Sequence, residues 1–365
     1  MQAIERIKKR IDISLKTSLR KIRREYKLHL VNPILFESIK DFTLRKGKRI
    51  RPLLLILSYR GYSKKNPAAS SSLYNASTCM ELLHNFMLIH DDIIDRSNLR
   101  RGKPTLHRLL RKAAKTNDQE KLGYDLSIIA GDIVYALAID AFLSIREAPQ
   151  RKEQALKYFV KTAAFTAMGE FIDILQGVEN IRKITEKDIF LNYTLKTARY
   201  TFECPLVIGA ILAGAGRDDI RRLSRLGVFI GQAFQIQDDI LGIFGSQKSI
   251  GKSILSDIAE FKKTLLVYRA YNQLGVKKRK NFLKYFSADP KSYRELVAIR
   301  KIFLSAKSLH YSLNKIKFLL NKSDSLINEL CIKEPYRKLI RKALLTSFDS
   351  SNTIARNYAI DVRIG

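Results

Sequence analysis

Tryptophan is absent from the 365-residue chain, and cysteine occurs only three times, at Cys79, Cys204 and Cys331. The number is odd, the spacings are wide and no Cys-x-x-Cys pair is present. Neither a disulfide framework nor a thiolate zinc site is therefore expected, and a reducing cytoplasm fits best. Acid is scarce too: 35 Asp and Glu stand against 67 Lys and Arg, leaving a formal charge of +32. Such an excess predicts attraction to phosphates on nucleic acid, lipid or a small substrate, or simply a solvated basic surface, and does not choose among them. Zinc-finger spacing and aromatic-basic stretches of the RNA-binding kind are missing, which places nucleic acid last. The basic N-terminus lacks the continuous apolar core of a leader, and no later apolar run reads as long enough to span a bilayer, so a soluble protein is expected.

Strand signals are equally sparse, whereas apolar residues recur at three-to-four spacing throughout, which predicts an all-α fold. Ile4, Ile7, Ile11, Leu15, Leu19 and Ile22 make one stripe on a first helix whose other faces are basic. That stripe is expected to dock on the protein's own core, with at most peripheral membrane contact. Gly, Pro, Asn and Ser cluster at 61–72, 97–105, 115–121, 148–152, 177–185, 214–219 and 245–256, where helices are expected to break. No composition shift marks a linker. A single domain over 1–365 is expected, with a motif-bearing core of about 40–270 and a basic helical region of about 277–365 packed on it.

What is present is a concentration of acid where acid is otherwise rare. In LIHDDIID, Asp91, Asp92 and Asp95 fall within five positions of an otherwise apolar run. On a helix Asp91 and Asp95 share a face and Asp92 sits about 100° around. Like charges so placed repel, more so beside Leu88, Ile89, Ile93 and Ile94, and need a cation. Mg²⁺ suits paired carboxylates and completes its shell with phosphate; ion pairs to nearby arginine would also serve. A local echo, QIQDDILG, repeats the acidic pair as Asp238 and Asp239, with Gln235 on the face of Asp239. Basic groups follow: Arg100 and Arg101 before Gly102 and Pro104, and Lys48, Arg49 and Arg51 in GKRIRP. Guanidinium forks fit phosphate oxygens, and a lysine adds point charge. His84 lies two turns before Asp91 on the same stripe.

In their order and spacing, from about Gly47 to Leu266, these residues resemble the isoprenyl (polyprenyl) diphosphate synthases, the short-chain trans-prenyltransferases that include farnesyl and geranylgeranyl diphosphate synthases. Gly47-Lys48-Arg49 with Arg51 resembles the family's GKxxR region. Asp91-Asp92-Ile93-Ile94-Asp95, followed by Arg100-Arg101-Gly102-Lys103-Pro104 and His107, resembles its first aspartate-rich motif and RRGxPxxH. Lys196-Thr197 resembles its KT motif, Phe234 to Asp239 its second aspartate-rich region, and Gly251-Lys252 with Asp257, Lys262 and Thr264 its tail. Gly242 stands where many members carry a third aspartate, and Phe261 replaces the glycine before Lys262.

The resemblance implies an all-α domain of the isoprenoid synthase type with a central substrate cavity, in a cytoplasmic homodimer. It implies head-to-tail joining of an allylic diphosphate to isopentenyl diphosphate, with three Mg²⁺ ions held by Asp91, Asp95 and Asp238. Arg100, Lys196, Thr197, Gln235, Lys252 and Lys262 would meet the allylic diphosphate, and Lys48, Arg51, His84 and Arg101 the isopentenyl diphosphate. Of these, Asp91, Asp95, Arg100, Lys196, Asp238, Lys252 and Lys262 are the expected catalytic set. Phe86, Phe234 and Tyr193 are expected to wall the allylic cation. Phe86 and Met87, one turn before Asp91, would set the floor and hence the chain length; the pattern resembles archaeal-type geranylgeranyl synthases, so a C20 product is expected and C15 is the alternative. A terpene cyclase or a regulatory, weakly catalytic subunit are the remaining readings; the isopentenyl set argues against the first.

Overall fold

The computed structural model describes residues 2–64, 71–245, 262–287 and 293–362. Among them the chain is helical almost throughout, and its strands are one two-residue antiparallel pair. It divides into two compact units, Met1–Lys157 with Ile208–Ala215, and Tyr158–Val207 with Gly216–Gly365.

In the first unit, α1 (Gln2–Tyr26) buries all six residues of the expected apolar stripe and packs on α5 (Ser71–Ile94). The chain leaves α1 through Lys27 in a left-handed conformation, makes one short turn, α2 (Leu28–Val31), and enters α3 (Pro33–Leu44). Asn32 caps α3 by accepting from Ile34 N at 2.9 Å, and Pro33 occupies the position where a missing N–H costs nothing. Next comes α4 (Ile50–Tyr62), apolar on every side, with Leu53 to Leu57 fully enclosed, as a helix surrounded by others must be.

The hairpin β1 (Leu99–Arg100) and β2 (Lys103–Pro104) turns at Arg101 and Gly102, both at positive φ (55° and 73°), the conformation a two-residue hairpin loop demands. After α6 (Leu106–Leu110) comes α7 (Gln119–Leu143), which packs along α5. By length and composition α7 is apolar enough to cross a membrane, contrary to expectation. Its apolar positions are interrupted by Gly131 and by scattered acids, so no single run displays them; in this unit one face of it packs on α5, while Ile128, Ile129 and Leu143 stay exposed.

α8 (Pro149–Val178) begins in the first unit, and the part from Tyr158 that belongs to the second carries Glu170 and Asp173. Thr185 and Asp188 form a reciprocal capping box that starts α9 (Glu186–Asn192). From Tyr193 to Glu203 the chain then winds as a π-helix before α10 (Cys204–Ala213). α11 (Arg217–Phe244) packs against the π-helix and against the helix Ser308–Asn328, so part of the 277–365 region lies against a motif-bearing helix.

Three glycines let neighbouring backbones approach the wide π-turns. A Cβ on Gly169 would lie 2.3 Å from Lys196 N, one on Gly227 2.3 Å from Glu203 Cα, and one on Gly231 2.3 Å from Ala198 Cα. Gly231→Ala is therefore expected to cost about 3 kcal/mol by overpacking, read as a Tm lower by roughly 6–10 °C. Gly177→Ala, with nothing within 4 Å of its Cβ, is the control and should leave Tm unchanged or raised.

Candidate functional site

Each unit assembles a cluster of the expected residues. In the first, α5 delivers Asp91 and Asp92, and Asp95 follows at its end. The three acids are not equivalent. Asp92 points inward, 1% exposed, while Asp91 keeps 21% of its side chain in solvent and Asp95 is half-buried. The cation that the sequence demands beside Asp92 is Arg100: its Nε donates to Asp92 Oδ1 at 2.7 Å, and its Nη2 donates to Asp91 Oδ2 at 2.9 Å and also to Asp92. Burial alone would loosen the Arg100 proton, but Asp91 and Asp92 more than reverse that, and the guanidinium is held firmly charged.

The hairpin carrying Arg100 and Arg101 is braced from α3 by Arg45, which no motif singles out. Arg45 donates to the carbonyls of Arg100 (3.2 Å) and Pro104 (2.8 Å) and pairs with Asp41, which also takes Lys103 at 2.7 Å. A buried arginine between a helix and a β-turn has no local sequence signature, so only the fold reveals it. Arg101 donates to Arg45 O at 3.4 Å and lies against Gly47, whose Cβ, if present, would stand 3.1 Å from the guanidinium carbon. Arg49, offered by the same GKRIRP run, is buried and committed to Asp12 at 2.9 Å and Glu81 at 2.5 Å. Its neighbours differ: Lys48 is exposed and Arg51 half-buried.

His84 is buried on α5, and both its burial and the nearby guanidinium groups of Arg51, Arg101, Arg100 and Arg49 push its pKa well below the usual 6.5. It is neutral at pH 7, held in a field of arginine charge that suits an anion. His107 is likewise pushed down to about 4 by burial, then by Arg108. Phe86 and Met87 are half-buried. Phe86 is held between Tyr135 of α7, ring centroids 4.8 Å apart, and His90, 4.9 Å away edge-on.

In the second unit the π-helix and α11 line one cleft that includes Lys196, Thr197, Gln235 and Lys262 together with Asp173 and Asp239. Lys196 Nζ is 2.6 Å from Asp173 and 2.8 Å from Glu170. Burial alone would raise the Asp173 carboxyl, but Lys196 and Lys262 together hold it below the ordinary range. Thr197 Oγ1 donates to Gln235 Oε1 at 2.6 Å, and Gln235 Nε2 donates to Asp239 Oδ1 at 2.9 Å, as their shared helix face predicts. Tyr193 O–H donates to Asp239 and accepts from Leu265 N at 2.9 Å. Burial is the main cause that pushes the Asp239 carboxyl up to about 7, with Asp238 and Asp173 adding to it.

Asp238 itself is exposed, and Gly242 is buried. Glu170 and Asp173 are functional-looking residues that the motifs do not include; three residues apart on a long helix with many exposed positions, they give no local signal. Tyr193 is buried and tied to Asp239, and Phe234 packs edge-on against Phe202 and Phe348, so both rings have structural partners in this unit. Lys252, with Gly251, Asp257 and Phe261, lies outside the described residues.

The polyprenyl synthetase family profile matches residues 32–303. The chain is 34% identical to the geranylgeranyl diphosphate synthase of Sulfolobus acidocaldarius, covering 80% of this chain and 84% of that one. It is 31% identical to the geranylfarnesyl diphosphate synthase of Aeropyrum pernix, over 82% of this chain and 88% of that one. A solved geranylgeranyl pyrophosphate synthase from Corynebacterium glutamicum, complexed with isoprenyl diphosphate and magnesium, is similar with a TM-score of 0.86 and 25% identity, covering 95% of this chain and 99% of that one. The isoprenoid synthase fold is thus the fold of this chain, which belongs to the polyprenyl synthetase family of prenyltransferases.

Proposed function

We propose that this enzyme joins isopentenyl diphosphate head to tail with allylic diphosphates, depends on Mg²⁺ and stops at the C20 product, geranylgeranyl diphosphate. The observation that supports it most is a neutral, buried His84 amid Arg51, Arg100 and Arg101, on the same helix as the Asp91 carboxylate, with Asp95 just past the end of that helix. His84 and Asp91 stand two turns apart on α5, so groups suited to an anion and to a cation lie close along one helix, as a metal diphosphate requires.

The donor set fits the metal: carboxylate oxygens are the hard ligands Mg²⁺ prefers, and Asp92, turned inward to Arg100, is not needed for it. Asp91, Asp95 and Asp238 would hold the ions, three per site. When bound, Mg²⁺ neutralises charge on the departing diphosphate. Arg100, Lys196, Lys252 and Lys262 add fixed positive charge there, Thr197 and Gln235 orient it by hydrogen bonds, and such prearranged cations favour the transition state over the ground state. Lys48, Arg51, His84 and Arg101 bind the isopentenyl diphosphate. Both units act as one synthase domain, in a cytoplasmic homodimer.

Purified protein with farnesyl diphosphate, labelled isopentenyl diphosphate and Mg²⁺ is expected to give a C20 diphosphate. Hydrocarbon or alcohol formed without isopentenyl diphosphate would replace this reading by a terpene cyclase. Inactivity alone, with altered products from an added synthase, would replace it by a regulatory subunit. Phe86 and Met87 set the chain length. Because Phe86 is wedged between Tyr135 and His90, it cannot swing aside for a growing tail. Phe86→Ala is expected to shift the main product from C20 to C25 or longer in the same assay; an unchanged C20 product would remove Phe86 from the floor.

A further inference from the structure

The face of α1 opposite its buried stripe is basic, and the proposed chemistry leaves it unused. Arg6, Lys9, Lys16, Arg20 and Arg24 recur along it at helical spacing and are all exposed. The row from Arg6 to Arg24 is about 27 Å long at 1.5 Å per residue. The acids of the helix are committed elsewhere: Glu5 to Lys8, Glu25 to Lys21, and Asp12 to the buried Arg49. Among the described residues none of those five bases pairs with a carboxylate.

The same face carries an apolar residue that the core does not take. Ile13 is 63% exposed in the middle of the basic row. Just past the end of α1, on the turn of α2, Leu30 and Val31 are 70% and 76% exposed while Leu28 is buried. Leaving three aliphatic side chains in water beside a row of bases is costly for a solvated face and useful for one kind of surface.

We propose that this face docks on an anionic lipid bilayer. The bases meet phosphate head groups, and Ile13, Leu30 and Val31 enter the boundary between head groups and acyl chains. Charge selects the partner. A second copy of the chain would set the same row of bases against itself, and duplex nucleic acid, though attracted to the bases, offers nothing to the aliphatic tips. The docking is independent of the prenyl-transfer reading, since none of these residues belongs to the proposed site.

The test is sedimentation of the full chain with vesicles of equal phosphatidylglycerol and phosphatidylcholine, against pure phosphatidylcholine. Binding is expected to be at least about tenfold stronger to the anionic vesicles and to fall when salt rises from about 0.1 to about 0.5 M. Lys16→Glu with Arg20→Glu changes the net charge only from +32 to +28, yet is expected to weaken binding about tenfold or more; an unchanged affinity would mean diffuse charge attraction and would overturn the docking face. Leu30→Ser with Val31→Ser is expected to weaken vesicle binding several-fold while leaving the affinity for a DNA duplex unchanged. Equal binding to both vesicle types, or tighter binding to the duplex with Leu30 and Val31 irrelevant to vesicles, would also overturn it. The substituted positions are exposed, and an unchanged Tm in each variant shows that the fold is intact.

Discussion

Asp91→Ala is expected to lower turnover at least about a thousandfold, a loss that raising Mg²⁺ does not restore. Two effects coincide in this residue. Its carboxylate is one of the pair proposed to hold metal, and it accepts from Arg100 Nη2 at 2.9 Å, so its removal also loosens a cation proposed to meet the departing diphosphate. The fold should survive, because Arg100 keeps its contacts to Asp92 and the Asp91 side chain is partly in solvent. Steady-state kinetics across Mg²⁺ concentration, with a melting curve beside them, separate the two. Activity within about tenfold of the parent at saturating metal would contradict the metal assignment.

Arg100→Ala is expected to damage both stability and turnover, for different reasons. Asp92 is 1% exposed and loses the guanidinium that compensates it. Breaking a buried pair from one side costs about 3–5 kcal/mol, a Tm drop of roughly 6–15 °C. The double variant Arg100→Ala with Asp92→Asn removes the uncompensated charge, and most of the Tm should return. Turnover should not return, because the cation proposed to face the diphosphate is still absent. If the double variant regains activity along with Tm, Arg100 serves the fold alone, and the phosphate role falls to Arg101 and the lysines.

The contrast between Arg100 and Arg49 shows what a motif conveys and what it leaves out. Both stand in phosphate-type motifs and look alike in the sequence. In the fold Arg49 is locked by Asp12, Glu81 and the Arg45 carbonyl, whereas Arg51, two residues on, is half-buried near His84. Which of two arginines is structural depends on acids 32 and 37 residues away. The helix-period rule, by contrast, worked where the geometry is local: Gln235 and Asp239 do share a face and a hydrogen bond, and the stripe of α1 is buried residue for residue.

By itself the sequence determined the helical class, the apolar face of α1, the helix breaks rich in Gly, Pro, Asn and Ser between 61 and 219, and the acidic and basic motifs of each unit, because all of these rest on spacing and composition within a few turns of chain. Only the tertiary structure decided the rest. It turned Asp92 inward to Arg100 and left Asp91 and Asp95 toward solvent, braced the hairpin through Arg45, and set Lys196 between Glu170 and Asp173. It also placed Lys196 and Thr197 on a π-helix, where Gly169, Gly227 and Gly231 let neighbouring helices reach the backbone. The physical reason is common to all of them. Charge compensation and close backbone approach are settled by which elements meet, and residues far apart along the chain carry no local sign of that meeting.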